Sequence, residues 1–392
     1  MKRTILTFAC LLLLSHLTAQ DAIQQVLQLI EQNNKELQAN MQLNNAQKQA
    51  NKSDNNLADP EVVYTQTFSS PHQSGEGSTE LNVVQGFDFP TAYASRHKLN
   101  KLKASALDMQ YAAIRRDILL QAQNQCLDLI RLNQEKELLQ KRLNNAKKLT
   151  EIFDRRLQTG DANALETNKI RLELMKIEAD VAANESARSN ALQALTALNG
   201  NQPILFEETS YAIADQLPEL PLLKQEVLPT YIELQELENQ SKVAKQQITV
   251  DKSGWLPKLQ VGYRRNTGAG EKFNGFIVGG SIPLFNNHHK VKAAKAQALS
   301  TSLQKENATL QAEATLTALY YEVTQIEATL KAYNLDIVKQ NVELLDQALE
   351  NRQIGLTDYF TEMNSNIQTW MDYLQWENQY HRLRAEIYKN TL

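Results

Sequence analysis

Glycine and proline are scarce, 13 and 9 in 392 residues, too few to turn the many corners of an all-β protein. They cluster at a few places and leave long segments that nothing interrupts, so helix is expected to dominate. Cysteine is scarcer. Cys10 lies inside an apolar N-terminal run and Cys126 stands alone beyond it, so once that run is removed no intrachain disulfide can form. Cys10 is also misplaced for lipidation, which needs a cysteine at the exit of the run. No later stretch is apolar for about 20 consecutive residues, so no helix is expected to span a membrane. Positive charge is not in excess either: without Lys2 and Arg3 the chain holds 39 basic and 45 acidic side chains, a net charge of −6, which argues against nucleic acid as a partner. No serine, cysteine or histidine stands in a nucleophile motif, and there is no phosphate loop or metal-ligand spacing, so no catalytic residue, cofactor or metal site is expected.

What is present begins with Lys2 and Arg3, an apolar run at 5–14 and the small-residue exit Leu17-Thr18-Ala19. This is the three-part pattern of a secretory signal over residues 1–20, with cleavage after Ala19 or Gln20. Beyond it the chain is written twice, as a first repeat at 21–200, a proline-bearing connector at 201–224 and a second repeat at 225–392. In the first, an amphipathic helix at 21–56 meets Pro60. A strand at 62–68, a polar loop at 69–78 and a second strand at 81–89 follow, then a helix at 95–157, a break at Gly160 and a return helix from Ala162 to Asn199-Gly200. In the second, a helix at 225–252 leads to Pro257, a strand at 258–264, a loop at 266–271 and a strand at 276–282. A long run free of Gly and Pro at 286–353 and a return helix at 357–389 complete it. Pro60 pairs with Pro257, Pro90 with Pro283 and Gly160 with Gly355, at separations of 197, 193 and 195 residues.

Leu81, Val83, Gln85, Phe87 and Phe89 share one face of their strand while Glu80, Asn82 and Asp88 fall on the other, one side suited to lipid and one to water. Two strands per repeat give four per chain, too few to close a barrel; three chains would supply twelve. In the first long helix Leu99, Leu102, Ala106, Met109, Ala113, Leu120, Leu127, Ile130 and Leu138 recur at coiled-coil spacing and call for partner helices.

These residues resemble the TolC-like outer membrane efflux proteins. The resemblance is carried by the duplicated plan, by the strand-to-helix passage Gly279-Gly280-Ser281-Ile282-Pro283-Leu284-Phe285-Asn286, and by two helix-turn-helix tips, RLQTGDANALE at 156–166 and RQIGLTDY at 352–359. It implies a mainly α fold with a small β part: long antiparallel coiled-coil helices forming an α-barrel, and four strands per chain contributing to a trimeric 12-stranded transmembrane β-barrel. The implied place is the outer membrane, with a long periplasmic extension. Implied partners are two further copies in a homotrimer, a periplasmic adaptor (membrane fusion) protein, an inner-membrane pump of the resistance-nodulation-division type, and outer membrane lipid. Gly160, Asp161, Gly355 and Leu356 would meet the adaptor. The first tip, G-D-x-x-x-L-E followed by Arg171-Leu172-Glu173-Leu174, is similar to members serving heavy-metal cation pumps of the cobalt-zinc-cadmium and copper-silver type. Where many members carry aspartates after the second tip glycine, this chain has Thr361 and Asn364, so an acidic gate ring would use Asp358 and Glu362 instead.

Each candidate has a plainer alternative. Asp358 and Glu362 would also suit a solvated helix start, and Asp161 and Glu166 suit helix capping. His288 and His289, as neighbours on a helix, would point about 100° apart and could not converge on a metal. Cys126 fits a buried small apolar position. Trp255, Tyr263, Phe276 and Phe285 suit either an aromatic girdle or core packing. Other functions compatible with the sequence are an exit duct for drugs or a type I secreted protein and, in a different class, an exported coiled-coil structural protein.

Overall fold

The computed structural model describes residues 19–68, 77–212, 216–268, 271–284 and 289–392. The expected signal at 1–18, most of the loop at 69–78, and Phe285 and His288 lie outside them. The element order is α1 (Ala19–Asn33), α2 (Lys35–Ser53), β1 (Glu61–Gln66), β2 (Thr79–Phe87), α3 (Pro90–Thr159), α4 (Ala164–Leu198), α5 (Leu220–Val227), a 3-10 turn (Leu228–Thr230), α6 (Ile232–Ser253), β3 (Lys258–Gly268), β4 (Glu271–Ser281), α7 (Lys290–Ala332), α8 (Leu335–Glu350), α9 (Leu356–Ile387) and a last 3-10 turn (Lys389–Thr391).

Three expected helices are interrupted. The first breaks at Asn34, whose side chain accepts from the Leu37 amide at 2.9 Å and donates to the Leu198 carbonyl at 2.8 Å. An asparagine that bonds its own backbone in this way competes with the helix ladder. The second breaks at Pro229, within the 3-10 turn, before α6 restarts from its N-cap Tyr231. Asn34 and Tyr231 lie 197 residues apart, the separation of Pro60 and Pro257, so the break recurs at the same spacing as the prolines. The run at 286–353 is divided at Asn334, which caps α8 by accepting from the Ile337 amide at 3.2 Å; its counterpart α3 stays unbroken for 70 residues.

The chain divides into two compact units. The sheet unit comprises Ala39–Ala113 and Tyr231–Ala312. Its sheet is antiparallel throughout, in the order β1-β2-β3-β4, leaving β1 and β4 as edges unpaired among the described residues. The register has no bulge, so cross-strand rows can be read directly. Val62, Val83, Tyr263 and Phe276 form one row, Tyr64, Leu81, Arg265 and Asn274 the next, while Gln85, Val261 and Val278 lie on the other side of the first. Away from Arg265, Asn274 and Lys272 at one end, that face is apolar across all four strands, and among the described residues it is left largely uncovered: Val62 is 64%, Tyr64 62%, Phe276 90% and Val278 84% exposed. The opposite face carries the ion pair Arg264–Glu80 at 3.0 Å. The loop expected at 266–271 is mostly strand, because pairing continues to Gly268↔Glu271. Around the helices of this unit most buried positions are small or polar, among them Asn44, Ala92, Asn100, Ser241, Ala244, Ala294 and Thr301, with Leu99 and Tyr231 as larger exceptions. Such seams let helices approach closely.

The turn unit comprises the residues up to Gln38, Ile114–Thr230 and Glu313–Leu392. Here the core is richer. Leu129, Ile130, Ile170, Leu195, Leu223, Leu316, Val323 and Ile387 are essentially inaccessible. Asparagines punctuate it: Asn184 donates to the Leu132 carbonyl at 3.0 Å, Asn378 to the Leu127 carbonyl at 2.9 Å, and Arg188 to Asn133 at 2.7 Å. Polar residues satisfied at seam positions fix helix register at some cost in stability. Cys126 is fully buried, and burial pushes its thiol up to about 12, in keeping with a packing role. The connector is also docked rather than free: Ile204 and Phe206 are buried, and Tyr211 stacks on His381 at 4.2 Å between ring centres.

Candidate functional site

The two helix turns lie within the turn unit and share one core. Leu138 and Phe153 of α3, Ile170 of α4, and Leu356, Tyr359, Phe360, Met363 and Ile367 of α9 pack together, with Ala162 from one turn and Ile354 from the other against them. The hairpins α3–α4 and α8–α9 are thus joined by side chains close to their turns.

The turns are built alike, but not in the register that the glycines suggest. After α3, Gly160 takes φ +80°, and three residues later Asn163 caps α4. After α8, it is Arg352 that takes a left-handed φ of 57°, and three residues later Gly355 caps α9 at φ −74° and ψ 155°. The separation is 192 residues in both cases, so Gly160 corresponds to Arg352, and Gly355 to Asn163. Gly355 has no conformational need to be glycine; a Cβ there would meet only Asp358 Oδ2 at 3.5 Å, ordinary contact.

The first turn is locked by its own polar groups. Asn163 Oδ1 accepts from the Glu166 amide at 2.8 Å while Glu166 Oε2 accepts from the Asn163 amide at 3.2 Å, a reciprocal capping box. Asp161 accepts from the Thr159 hydroxyl at 2.9 Å, and the amides of Asp161 and Ala162 close the end of α3 on the Arg156 carbonyl. α4 accordingly starts at Ala164 rather than Ala162. Asp358 is the third residue of α9, as Glu166 is of α4, and acids there are favoured by the helix dipole. Asp358 and Glu362 are both exposed, on the same face of α9. Leu356 departs from its expected role as a contact residue: it turns inward and is 8% exposed. An apolar side chain that is presented outward is Leu165, 80% exposed, the leucine of the G-D-x-x-x-L-E motif.

Behind the turns a polar network bridges the hairpins. Asp346 of α8 accepts from the Tyr359 hydroxyl at 2.7 Å and from Asn145 of α3 at 3.1 Å. Arg142 donates to Asn364 of α9, which donates to Glu173 of α4 at 3.4 Å, and lies 3.6 Å from Asp180. Half-burial pushes the Asp346 carboxyl above its ordinary range, against the lowering effect of the Tyr359 and Asn145 hydrogen bonds; burial also raises the Tyr359 phenol. The network borders an open cavity of about 880 Å³ lined also by Lys141, Lys339, Trp370 and Glu377. Asn364 therefore has a structural task at the position where the family resemblance would place an aspartate. Neither Asp346 nor Tyr359 stood out in the sequence, since each is common on a helix and only the packing of α8 on α9 joins them.

Other candidates separate. His289 lies in a turn with φ 73° before α7, not on the helix. Among the described residues no group of three or more His, Cys, Asp or Glu is placed to hold a metal ion, and no helix is long and apolar enough to cross a membrane. Trp255 is 44% and Tyr263 40% exposed.

Residues 223–389 match the family model described as outer membrane efflux protein. No curated protein matches the chain. Among solved structures it is similar to CusC, described in terms of folding and transmembrane channel formation, with TM-score 0.75 and 14% identity over 94% of this chain and 92% of the other. It is also similar to the Campylobacter jejuni CmeC outer membrane channel, TM-score 0.71 and 16% identity over 94% and 85%. The Vibrio cholerae outer membrane protein VceC gives TM-score 0.69 and 15% identity over 94% and 95%. The chain has the fold of these three proteins, and residues 223–389 carry the pattern of the outer membrane efflux protein family model.

Proposed function

We infer that this protein is the outer membrane channel of a tripartite efflux system, a passive duct that receives substrate from an inner-membrane pump through a periplasmic adaptor. The observation that carries this is the sheet. It has two edges unpaired among the described residues, β1 and β4, and one face that away from one end is apolar on all four strands yet largely uncovered. Three copies joining β4 to β1 would remove every edge and turn that face to lipid, as a closed twelve-stranded barrel requires. The paired turns would meet the adaptor through the surface around Gly160, Asp161 and the outward Leu165, with Gly355 on the second turn; Leu356 supports that turn from inside. The Asp346–Tyr359 and Arg142–Asn364 contacts would hold the hairpins in one arrangement and could exchange partners when the duct opens, because polar contacts of this kind are readily replaced by water. Heavy-metal cations are the proposed cargo and a pump of the resistance-nodulation-division type the proposed partner, on the resemblance of the first tip motif. An exported coiled-coil structural protein would have no use for the amphipathic sheet.

The test is assembly and conductance. Purified in mild detergent, the protein should have the mass of three copies, and added to a planar bilayer it should give discrete conductance steps. A folded monomer that leaves the bilayer silent would overturn the reading. For the cargo, deletion of the gene should sensitise cells to divalent or monovalent heavy-metal cations before it sensitises them to organic drugs.

A further inference from the structure

The sheet segregates its charges. On the polar face Glu61, Glu80, Lys258, Arg264 and Glu271 mix both signs, and Arg264 is paired with Glu80 at 3.0 Å. On the apolar face the charged residues are Arg265 and Lys272, both cations, both exposed, and neither in an ion pair among the described residues. They sit together. Lys272 is opposite Thr267, two residues along β3 from Arg265, a diagonal pair separated by roughly 7–8 Å. Their place is also defined, for the row of Arg265 follows directly on the apolar row Val62, Val83, Tyr263 and Phe276 and contains Tyr64.

We propose that Arg265 and Lys272 form a binding site for the phosphate groups of an anionic lipid whose acyl chains lie along the apolar face below them. This rests on the channel reading given above. An unpaired cation on a lipid-facing strand is costly near the middle of a bilayer and cheap at its surface, where it meets headgroups. Two such cations at one end of an otherwise uncharged face, with a tyrosine in the same row, match a lipid whose anionic groups sit directly over its hydrocarbon. The contrast with Arg264 sharpens the assignment: one residue away on the same strand, it has its carboxylate.

The assembled full-length channel in mild detergent is titrated with fluorescent bis-phosphorylated lipid A, with its dephosphorylated form, with phosphatidylcholine and with inorganic phosphate as competitor. Arg265→Gln with Lys272→Gln should weaken binding of the bis-phosphorylated lipid about thirtyfold, on the order of fivefold for each cation, with little effect on the two lipids that lack net charge. Arg264→Gln should leave it unchanged. Equal binding by the double variant, or equal wild-type affinity for phosphorylated and dephosphorylated lipid, overturns the site. Full displacement by inorganic phosphate would overturn it in favour of a free-anion site. Conductance separates the two levels: if wild type and double variant both form channels yet bind the lipid alike, this proposal alone fails, whereas a silent wild type removes the channel reading and the site with it.

Discussion

A side chain at position 160 would force an L residue to φ +80°, which costs on the order of 1–2 kcal/mol. Nothing lies within 4 Å of the Cβ that would be added, so the penalty is conformational and not steric. Gly160→Ala should therefore lower the thermal midpoint of the purified protein, while Arg352→Gly, which relieves the same strain in the second turn, should hold or raise it. Gly355→Ser should be tolerated and gain a few tenths of a kcal/mol, since a hydroxyl there can cap α9. Equal losses at 160 and 355 would refute the assignment of different backbone roles. His381 offers a second test at this scale. Burial between Tyr211 and its neighbours, with the Arg384 charge adding to it, pushes the ring down from 6.5 to about 4. The unfolded chain then takes up the proton first on acidification. The contribution of His381 is fully present above pH 6.5 and is lost as pH falls toward 4. His381→Phe keeps the stack and cannot titrate, so its midpoint should fall less than that of wild type over this range; parallel curves would show that the imidazole carries no linkage.

Elements were legible in the sequence where one local signal decides them. Strict alternation revealed the strands because the register has no bulge to disturb it, and Gly160 revealed the first turn because its left-handed backbone favours glycine, but the capping box of Asn163 and Glu166, which starts α4 at Ala164, went unread. The breaks at Asn34 and Asn334 were not legible, since asparagine inside a polar helix carries no mark until its side chain folds back on the backbone. The second turn was misregistered by three residues because a glycine attracts attention and a strained Arg352 does not. The inward turn of Leu356 and the Asp346–Tyr359 contact depend on how α8 rotates against α9, which periodicity alone does not specify. That contact predicts a pH effect of opposite sign to that of His381. Because burial raises the Asp346 carboxyl above 3.8, its favourable contribution to the packing of α8 on α9 is complete below that value and is lost as pH rises through the raised one. Asp346→Asn should flatten the decline in thermal midpoint above pH 3.8, and Tyr359→Phe, which removes the hydroxyl donor, should destabilise the hairpin by about 1 kcal/mol. If Asp346→Asn declined as steeply as wild type, the carboxyl would not be the group that titrates.

At the scale of the assembled molecule, the acids beyond the second turn decide between a local and a collective role. Asp358 and Glu362 are both exposed, and neither belongs to the core that joins the hairpins. In one chain Asp358 is an ordinary helix start, favoured by the dipole by about 0.3–1 kcal/mol, and Glu362 a solvated residue one turn further on. In three chains around an axis they would bring six carboxylates to one level of the duct, and a ring of one sign in a narrow, weakly screened passage concentrates cations and excludes anions. The two roles differ in what salt does to them. At 0.1 M the screening length is about 10 Å, so selectivity from such a ring should be marked in dilute salt and fade as salt is raised. Asp358→Asn with Glu362→Gln should leave the trimer intact, with a stability change of at most about 1 kcal/mol, and should move the reversal potential under a dilute potassium chloride gradient toward zero. A properly assembled double variant that kept its cation preference in dilute salt would leave Asp358 as a helix-start acid and Glu362 as a solvated one, and the duct would have to draw any selectivity from elsewhere along its wall.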